Sequence, residues 1–324
     1  MPCYHPKYAI IDGVNPDTGK DHLTIIPGAT YESMHSDPAL ASRLVTLPCG
    51  QCIGCRIDYS REWSARCCME LPYHKSSYWC TFTYDDEHLP IDYYCNFDGC
   101  YVGASTNIRD VQLLVKRLRK DGQQIRYFGC SDYGGSTYRP HYHIMLFGLV
   151  LDDLRPMYQF NPGYRYYLSD YLSHRWGLGN VIIGEANHLT ASYTAKYMCS
   201  KLKGFAASWY TIHAMDPPRA LMSRRPGIGQ RYFLDHPQVL DYKYFNLPQA
   251  DGAYRVYLPR YFKRLESLAD PDKAFVRSQT GKYIAERSNA ARLQHTDVSF
   301  EQLLLIDERQ RQSDYVSLDN LIVI

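Results

Sequence analysis

No apolar run in this 324-residue sequence approaches the roughly 20 residues needed to cross a bilayer, so no membrane partner is expected. The opening Met-Pro-Cys-Tyr-His-Pro lacks the charged-then-apolar pattern of an export signal, and a soluble intracellular protein is expected. Internal repeats and low-complexity tracts are absent, which excludes solenoids and fibres. The excess of one charge over the other is small: 36 Lys/Arg against 34 Asp/Glu leave a net +2, which alone says nothing about nucleic acid. Its distribution says more, because residues 101–235 carry 17 Lys/Arg against 9 Asp/Glu. Hydrophobic residues make up 45%, enough to bury a core in one large domain or two modest ones. Tyrosine is abundant, at 30 residues, and rings interleaved with Lys/Arg suit the stacking of unpaired bases as well as ordinary packing.

Residues 1–47 hold turn formers and no sustained period, so loops and short strands are expected there. A Pro- and Gly-free stretch predicts a helix over 58–70, and Tyr78-Trp-Cys-Thr-Phe-Thr-Tyr84 predicts a strand. Thr106 or Asn107 can cap a helix whose Val111, Leu114, Val115 and Leu118 follow the i, i+3, i+4, i+7 pattern. The other face of that helix carries Lys116, Arg117, Arg119 and Lys120, either a solvated face or a DNA-contacting one. Segments 125–132 and 141–150 around a Gly-rich turn predict a β-hairpin, 180–185 a further strand, and 190–203 a helix closed by Gly204. This order predicts an α+β fold: a mostly antiparallel central sheet with helices packed on it. Three parts are expected: a Cys-rich N-terminal region (1–76), a core (77–235) and a partly helical C-terminal extension (236–324). Within the core, Ser223-Arg-Arg-Pro-Gly-Ile-Gly229 is a basic loop whose Arg224 and Arg225 are expected to contact DNA.

His141 and His143 alternate with Tyr142 in the second hairpin strand, so both imidazoles project on one side and can grip one ion. The hairpin brings an acid near them. Asp132 is the preferred third ligand, ahead of Asp110 and Glu185, and the set suits Mg²⁺ or Mn²⁺ with positions left open for phosphate oxygens. Tyr193 and Tyr197 lie one turn apart on the later helix. At 100° per residue, Ala191, Ala195, Met198 and Leu202 form its core stripe, which places the tyrosines opposite, alongside Lys196 and Ser200. A free phenol titrates near 10 and is a poor nucleophile, so Lys196 and Lys201 are candidates for stabilising the phenolate or holding the scissile phosphate.

Cysteine is plentiful, at 11, and clustered. Cys49-x2-Cys52-x2-Cys55 is a metal-binding spacing, with the fourth ligand expected among Cys67, Cys68 and Cys3. Structural Zn²⁺ is preferred and an iron–sulfur cluster is the runner-up. Cys80, Cys95, Cys100, Cys130 and Cys199 are expected to be packing residues.

Together Trp79–Tyr84 with Asp85-Asp-Glu-His-Leu-Pro90, Arg139-Pro-His-Tyr-His-Ile-Met-Leu-Phe-Gly148, and Tyr193-Thr-Ala-Lys-Tyr197 resemble the three motifs of rolling-circle replication initiators of the HUH endonuclease superfamily. Pro48–Cys55 and Ser223–Gly229 are similar to initiators of gokushovirus-type microviruses. The resemblance spans roughly residues 45–235. It implies an HUH core of ferredoxin/RRM-like type, metal held by His141 and His143, and Tyr193 and Tyr197 as nucleophiles that nick one strand through a 5′-phosphotyrosine and later rejoin it. It further implies single-stranded and supercoiled origin DNA, host helicase and polymerase as partners, and action in the cytoplasm of an infected bacterium. Where the pattern leads one to expect Glu, this chain has Asp132. Histidines before tyrosines favour an initiator over a conjugative relaxase. Tyr193-Thr-Ala-Lys196 also fits a one-tyrosine pattern. A transposase of the same superfamily, or a zinc-stabilised DNA-binding protein without catalysis, are the competing readings.

Overall fold

The computed structural model describes residues 3–16, 21–97, 99–135, 137–157, 165–200, 207–242, 244–249 and 252–319, without the side chains of 198–200, 248–249, 254 and 314–319. Its contacts divide the chain into two compact units, Tyr59–Arg264 and a second built from both chain ends, Met1–Asp58 with Leu265–Ile324.

The first unit is built on a seven-stranded sheet, in the spatial order Ala220–Met222, Arg126–Tyr133, Pro140–Phe147, Ser77–Thr83, Val181–Glu185, Tyr166–Leu168, Arg155–Pro156. Every neighbouring pair is antiparallel, as the α+β reading expects. Alternation along Pro140–Phe147 sorts its side chains. Tyr142, Ile144 and Leu146 enter one buried cluster with Phe82 and Val111, whereas Met145 and Phe147 enter another with Trp63, Phe128, Ala191 and Ala195. His141 and His143 share parity with the second set and so face the same side of the sheet.

Helix Ile108–Lys120 covers the Tyr142 side, burying the four apolar positions expected of it, and the Asn107 carboxamide accepts from the Arg109 N–H as its cap. The histidine side is covered by Trp63 and Cys67 from the later turns of the helix Ile53–Glu70 and by Ala191 and Ala195 from His188–Ser200. The latter begins two residues before the expected Thr190, because the Asn187 side chain accepts from the N–H groups of Leu189 and Thr190, at 2.9 and 3.0 Å. Its expected end, through Lys203 and Gly204, lies outside the described residues.

Strands Ile91–Asn96 and Gly99–Ala104 form a separate hairpin in which Cys95 and Cys100 stand directly opposite and are disulfide-bonded. This corrects their reading as packing thiols: both sit on an exposed ribbon with no core to enter. Cys80 and Cys130 are fully buried, in line with that reading, and Cys199 lies outside the described side chains.

In the second unit, Lys7–Val14 is the middle strand of a three-stranded antiparallel sheet with Asp21–Ile25 and Leu44–Leu47. The C-terminal helices pack onto this sheet. The Tyr8 hydroxyl and the Tyr31 N–H both donate to Glu301, Lys282 donates to the Leu44 carbonyl, and His5 meets Glu308 at 2.5 Å. Among the described residues, no helix is long and apolar enough to cross a membrane.

Candidate functional site

The hairpin register pairs Asp132 with His141 and Cys130 with His143. Same-parity residues of adjacent strands thus converge, and one ligand atom from each of Asp132, His141 and His143 falls within 4.8 Å of the others. The Nε2 atoms of the histidines are 3.1 Å apart, and Asp132 Oδ2 is 3.8 Å from that of His141. His141 Nδ1 donates to the Arg139 carbonyl at 3.0 Å, which leaves a neutral ring with its Nε2 lone pair aimed into the cluster. His143 Nδ1 lies 3.1 Å from Thr81 Oγ1, the residue directly across the sheet. Outer partners of this kind orient imidazole ligands on a metal, and two imidazoles with one carboxylate fit a divalent cation.

Burial sets the charge states. It lifts the Asp132 carboxyl to about 7 against the pull of the Tyr133 backbone N–H. It pushes His143 down to about 3, helped by the neighbouring His141 ring, and pushes His141 down against the Arg139 carbonyl. Without a cation, the pocket therefore favours two neutral imidazoles and a carboxyl near its midpoint at neutral pH.

Tyr193 and Tyr197 are not on the face turned away from the sheet, as the helical wheel had them. Ala191, Thr194 and Ala195 are fully buried, and these small residues let the helix approach closely enough for the flanking tyrosines to reach the strands. Both rings pack on His143, with centroids at 5.3 and 4.9 Å. The Tyr197 hydroxyl donates to the Tyr193 hydroxyl at 2.6 Å. Burial raises both phenols, but the shared hydrogen bond acts in opposite senses: it lowers Tyr193, which accepts, and raises Tyr197, which donates. The charge of Lys196 lowers Tyr193 further, while Asp132 opposes it. Lys196 itself is exposed, and Lys201 lies outside the described residues.

Residues not anticipated from the sequence complete the frame. Trp79 stacks on His143 at 5.3 Å, meets Tyr193 edge-on at 5.7 Å, and donates from Nε1 to Thr194 Oγ1 at 2.9 Å. Ser60 and Ser64 donate to the carbonyls of Ser192 and His188, tying the helix that precedes the sheet to the tyrosine helix. Trp79 and Thr81 stand in the Trp79–Tyr84 motif and share the strand parity that faces the histidines, whereas Ser60 and Ser64 carried no sequence signal beyond their helix. Asp110 accepts from the Tyr84 hydroxyl at 2.7 Å, and Glu185 is exposed at a strand end; neither joins the cluster.

The cysteines form a second cluster, in the other unit: Cys3, Cys49, Cys52 and Cys55. Two of its sulfur pairs are 3.9 and 4.0 Å apart, close to the edge of about 3.8 Å of a tetrahedron with Zn–S bonds near 2.3 Å. Backbone N–H groups of Tyr4, Cys49, Gln51, Cys52 and Cys55 point at these sulfurs. Burial works against the Cys49 thiolate, yet the Cys52 and Gln51 N–H groups bring that thiol down to about 7, while burial lifts Cys3 to about 11. The donor set fits one four-coordinate ion. Cys67 and Cys68 are not members. They lie three turns further along the Ile53–Glu70 helix, about 18 Å from Cys55 by helical rise, and Cys67 is fully buried beside Trp63.

The basic residues separate. Arg117 donates to the carbonyls of Arg175 and Trp176, and Arg119 to that of Ile125, so both are tied into the fold. Lys116, Lys120, Arg224 and Arg225 are exposed.

An antiparallel sheet holding a histidine pair and an acid beneath a two-tyrosine helix is the part of the chain that comparison with known proteins singles out. The family Replication-associated protein ORF2/G2P matches residues 77–202, from the first sheet strand through the tyrosine helix. Replication-associated protein ORF2 of Spiroplasma virus 4 is 33% identical over 227 residues, 68% of this chain and 67% of the relative. Replication-associated protein VP4 of Bdellovibrio phage phiMH2K is 28% identical over 262 residues, 76% of each chain. Replication-associated protein ORF4 of Chlamydia phage 1 is 26% identical over 240 residues, 71% of this chain and 56% of the relative. The chain belongs to this family of phage replication-associated proteins. No solved structure matches it.

Proposed function

We propose that this protein initiates rolling-circle replication by nicking one strand of supercoiled origin DNA and later rejoining it, in the cytoplasm of an infected bacterium. The observation that carries the reading is the packing of two hydrogen-bonded tyrosines on a histidine that shares a three-residue ligand set. Asp132, His141 and His143 would hold Mg²⁺ or Mn²⁺, with coordination positions left open for phosphate oxygens. When bound, the cation draws charge from the scissile phosphate.

Tyr193 is the first nucleophile, since it accepts the hydrogen bond that Tyr197 donates and feels Lys196. Its oxygen bonds to phosphorus as the bond from phosphorus to the 3′-oxygen breaks, and the phenol proton ends on the departing 3′-hydroxyl. The 5′-phosphotyrosine keeps the energy of the broken bond, so joining needs no ATP. Tyr197, one turn away, is placed to cut the regenerated origin while Tyr193 still holds the first end. The freed 3′-hydroxyl primes a host polymerase, with a host helicase opening the duplex. Zn²⁺ in the four-cysteine cluster serves structure, not chemistry.

Supercoiled origin DNA with Mn²⁺ is expected to yield nicked circles carrying protein on the 5′ end, and Tyr193→Phe with Tyr197→Phe to abolish them. Nicks with free 5′ phosphates and no linked protein would overturn the reading.

A further inference from the structure

The Ser223–Gly229 loop is anchored from beneath. Ile228 is fully buried, Arg66 Nε donates to its carbonyl at 3.0 Å, and the Arg66 guanidinium lies 4.0 and 4.1 Å from the ring centres of Trp63 and Tyr261. The Gly229 N–H donates to Glu70 at 2.7 Å. Gly229 has φ of +76°, and a Cβ there would stand 3.0 Å from the Arg66 carbonyl, so the glycine is required. This anchoring leaves Arg224 and Arg225 projecting from a fixed base.

Beside them, at the sheet edge formed by Ala220–Met222, runs an open groove of about 720 Å³ lined by Arg119, Arg126, Arg219, Arg224 and Arg225. Among the described residues, none that lines it is acidic. Glu70 neutralises Arg126 at 2.5 Å, and Asp216 approaches Arg219 at 3.7 Å, but among the described residues no acid pairs with Arg119, Arg224 or Arg225. The apolar floor, with Val111 and Leu221, belongs to the cluster on the Tyr142 side of the sheet, opposite the histidines.

We propose that this groove holds the phosphate backbone of duplex DNA flanking the cut strand, so that DNA is gripped on both faces of the sheet; the role of that duplex rests on the nicking function above. Planar guanidinium groups match phosphate oxygens two at a time. A duplex is favoured over a single strand because single-strand platforms stack bases on exposed rings. Among the described residues, the one ring in the lining is Tyr127, half-buried against the core.

The test uses the full chain with Tyr193→Phe and Tyr197→Phe, so that binding is read with cutting disabled, and a fluorescent duplex in 50–200 mM salt. Neutralising Arg224→Gln with Arg225→Gln is expected to make the slope of log K against log salt shallower by about 2, and Arg219→Gln alone by about 1. Lys75→Gln with Lys263→Gln, exposed cations of the same unit outside the groove, should leave the slope unchanged at equal charge loss. Equal slopes for the two double variants would overturn the groove. So would a single strand that binds more tightly than the duplex and depends on the same arginines. Either failure would leave the covalent-adduct test of nicking untouched, and absence of the adduct would not alter these slopes.

Discussion

The pocket's charge states make a specific demand on metal binding. The Asp132 carboxyl, lifted to about 7 by burial, holds a proton in the cation-free protein at pH 6, and a metal must displace it. His143, pushed down to about 3, has no proton to give there, and burial lowers His141 in the same direction. The sign follows from competition: protons oppose the cation below pH 7 and cease to above it. From pH 8 to pH 6, Mn²⁺ affinity should fall about tenfold, or about 1.4 kcal/mol, with one proton released per ion at the lower pH. Titration calorimetry in two buffers of different ionisation heat counts that proton directly. Asp132→Asn should bind more weakly and lose the pH dependence. If the slope persists in that variant, ordinary imidazoles are titrating and the assignment of charge states is wrong. No slope in the unsubstituted protein would refute the raised carboxyl.

Three further outcomes are expected. Thr81→Val removes the partner of His143 Nδ1 and should weaken Mn²⁺ binding about 10–100-fold, read by calorimetry, with the fold intact by circular dichroism. Tyr193→Phe should slow first-strand nicking about 100-fold or more, whereas Tyr197→Phe should spare the first nick and impair joining, as resolved on denaturing gels; equal losses would show that the hydrogen-bond direction does not select the nucleophile. Chelation of the four-cysteine site should expose the Phe300–Asp319 helix and the Lys7–Val14 sheet to hydrogen exchange, because Phe300 and Leu304 pack on Cys52, Cys55 and Tyr4, while the His188–Ser200 helix keeps its protection.

What could be read from the sequence was local. The 108–120 helix follows from its 3.6-residue period and asparagine cap, and the hairpin follows from alternation around a Gly-rich turn, which was enough to bring Asp132 to the histidines. The fourth cysteine was not legible, because it depends on strand pairing. Lys7 stands across from Leu47, and continuing that register sets residues 3–5 beside 49–51, which brings Cys3 to the cluster in place of Cys67 or Cys68. Likewise, a helical wheel sorts faces but not docking depth. The small residues Ala191, Thr194 and Ala195 seat the helix so low that flanking tyrosines touch His143. The pairing of Cys95 with Cys100 needed the hairpin register, in which Asn96 opposes Gly99.

The most direct measurement is mass spectrometry of peptides from the protein after reaction with origin DNA and Mn²⁺. A nucleotide joined through its 5′ phosphate to Tyr193 is expected after the first nick. A DNA-linked residue outside Tyr193 and Tyr197, or nicking by folded, metal-loaded protein without any linked peptide, would contradict it.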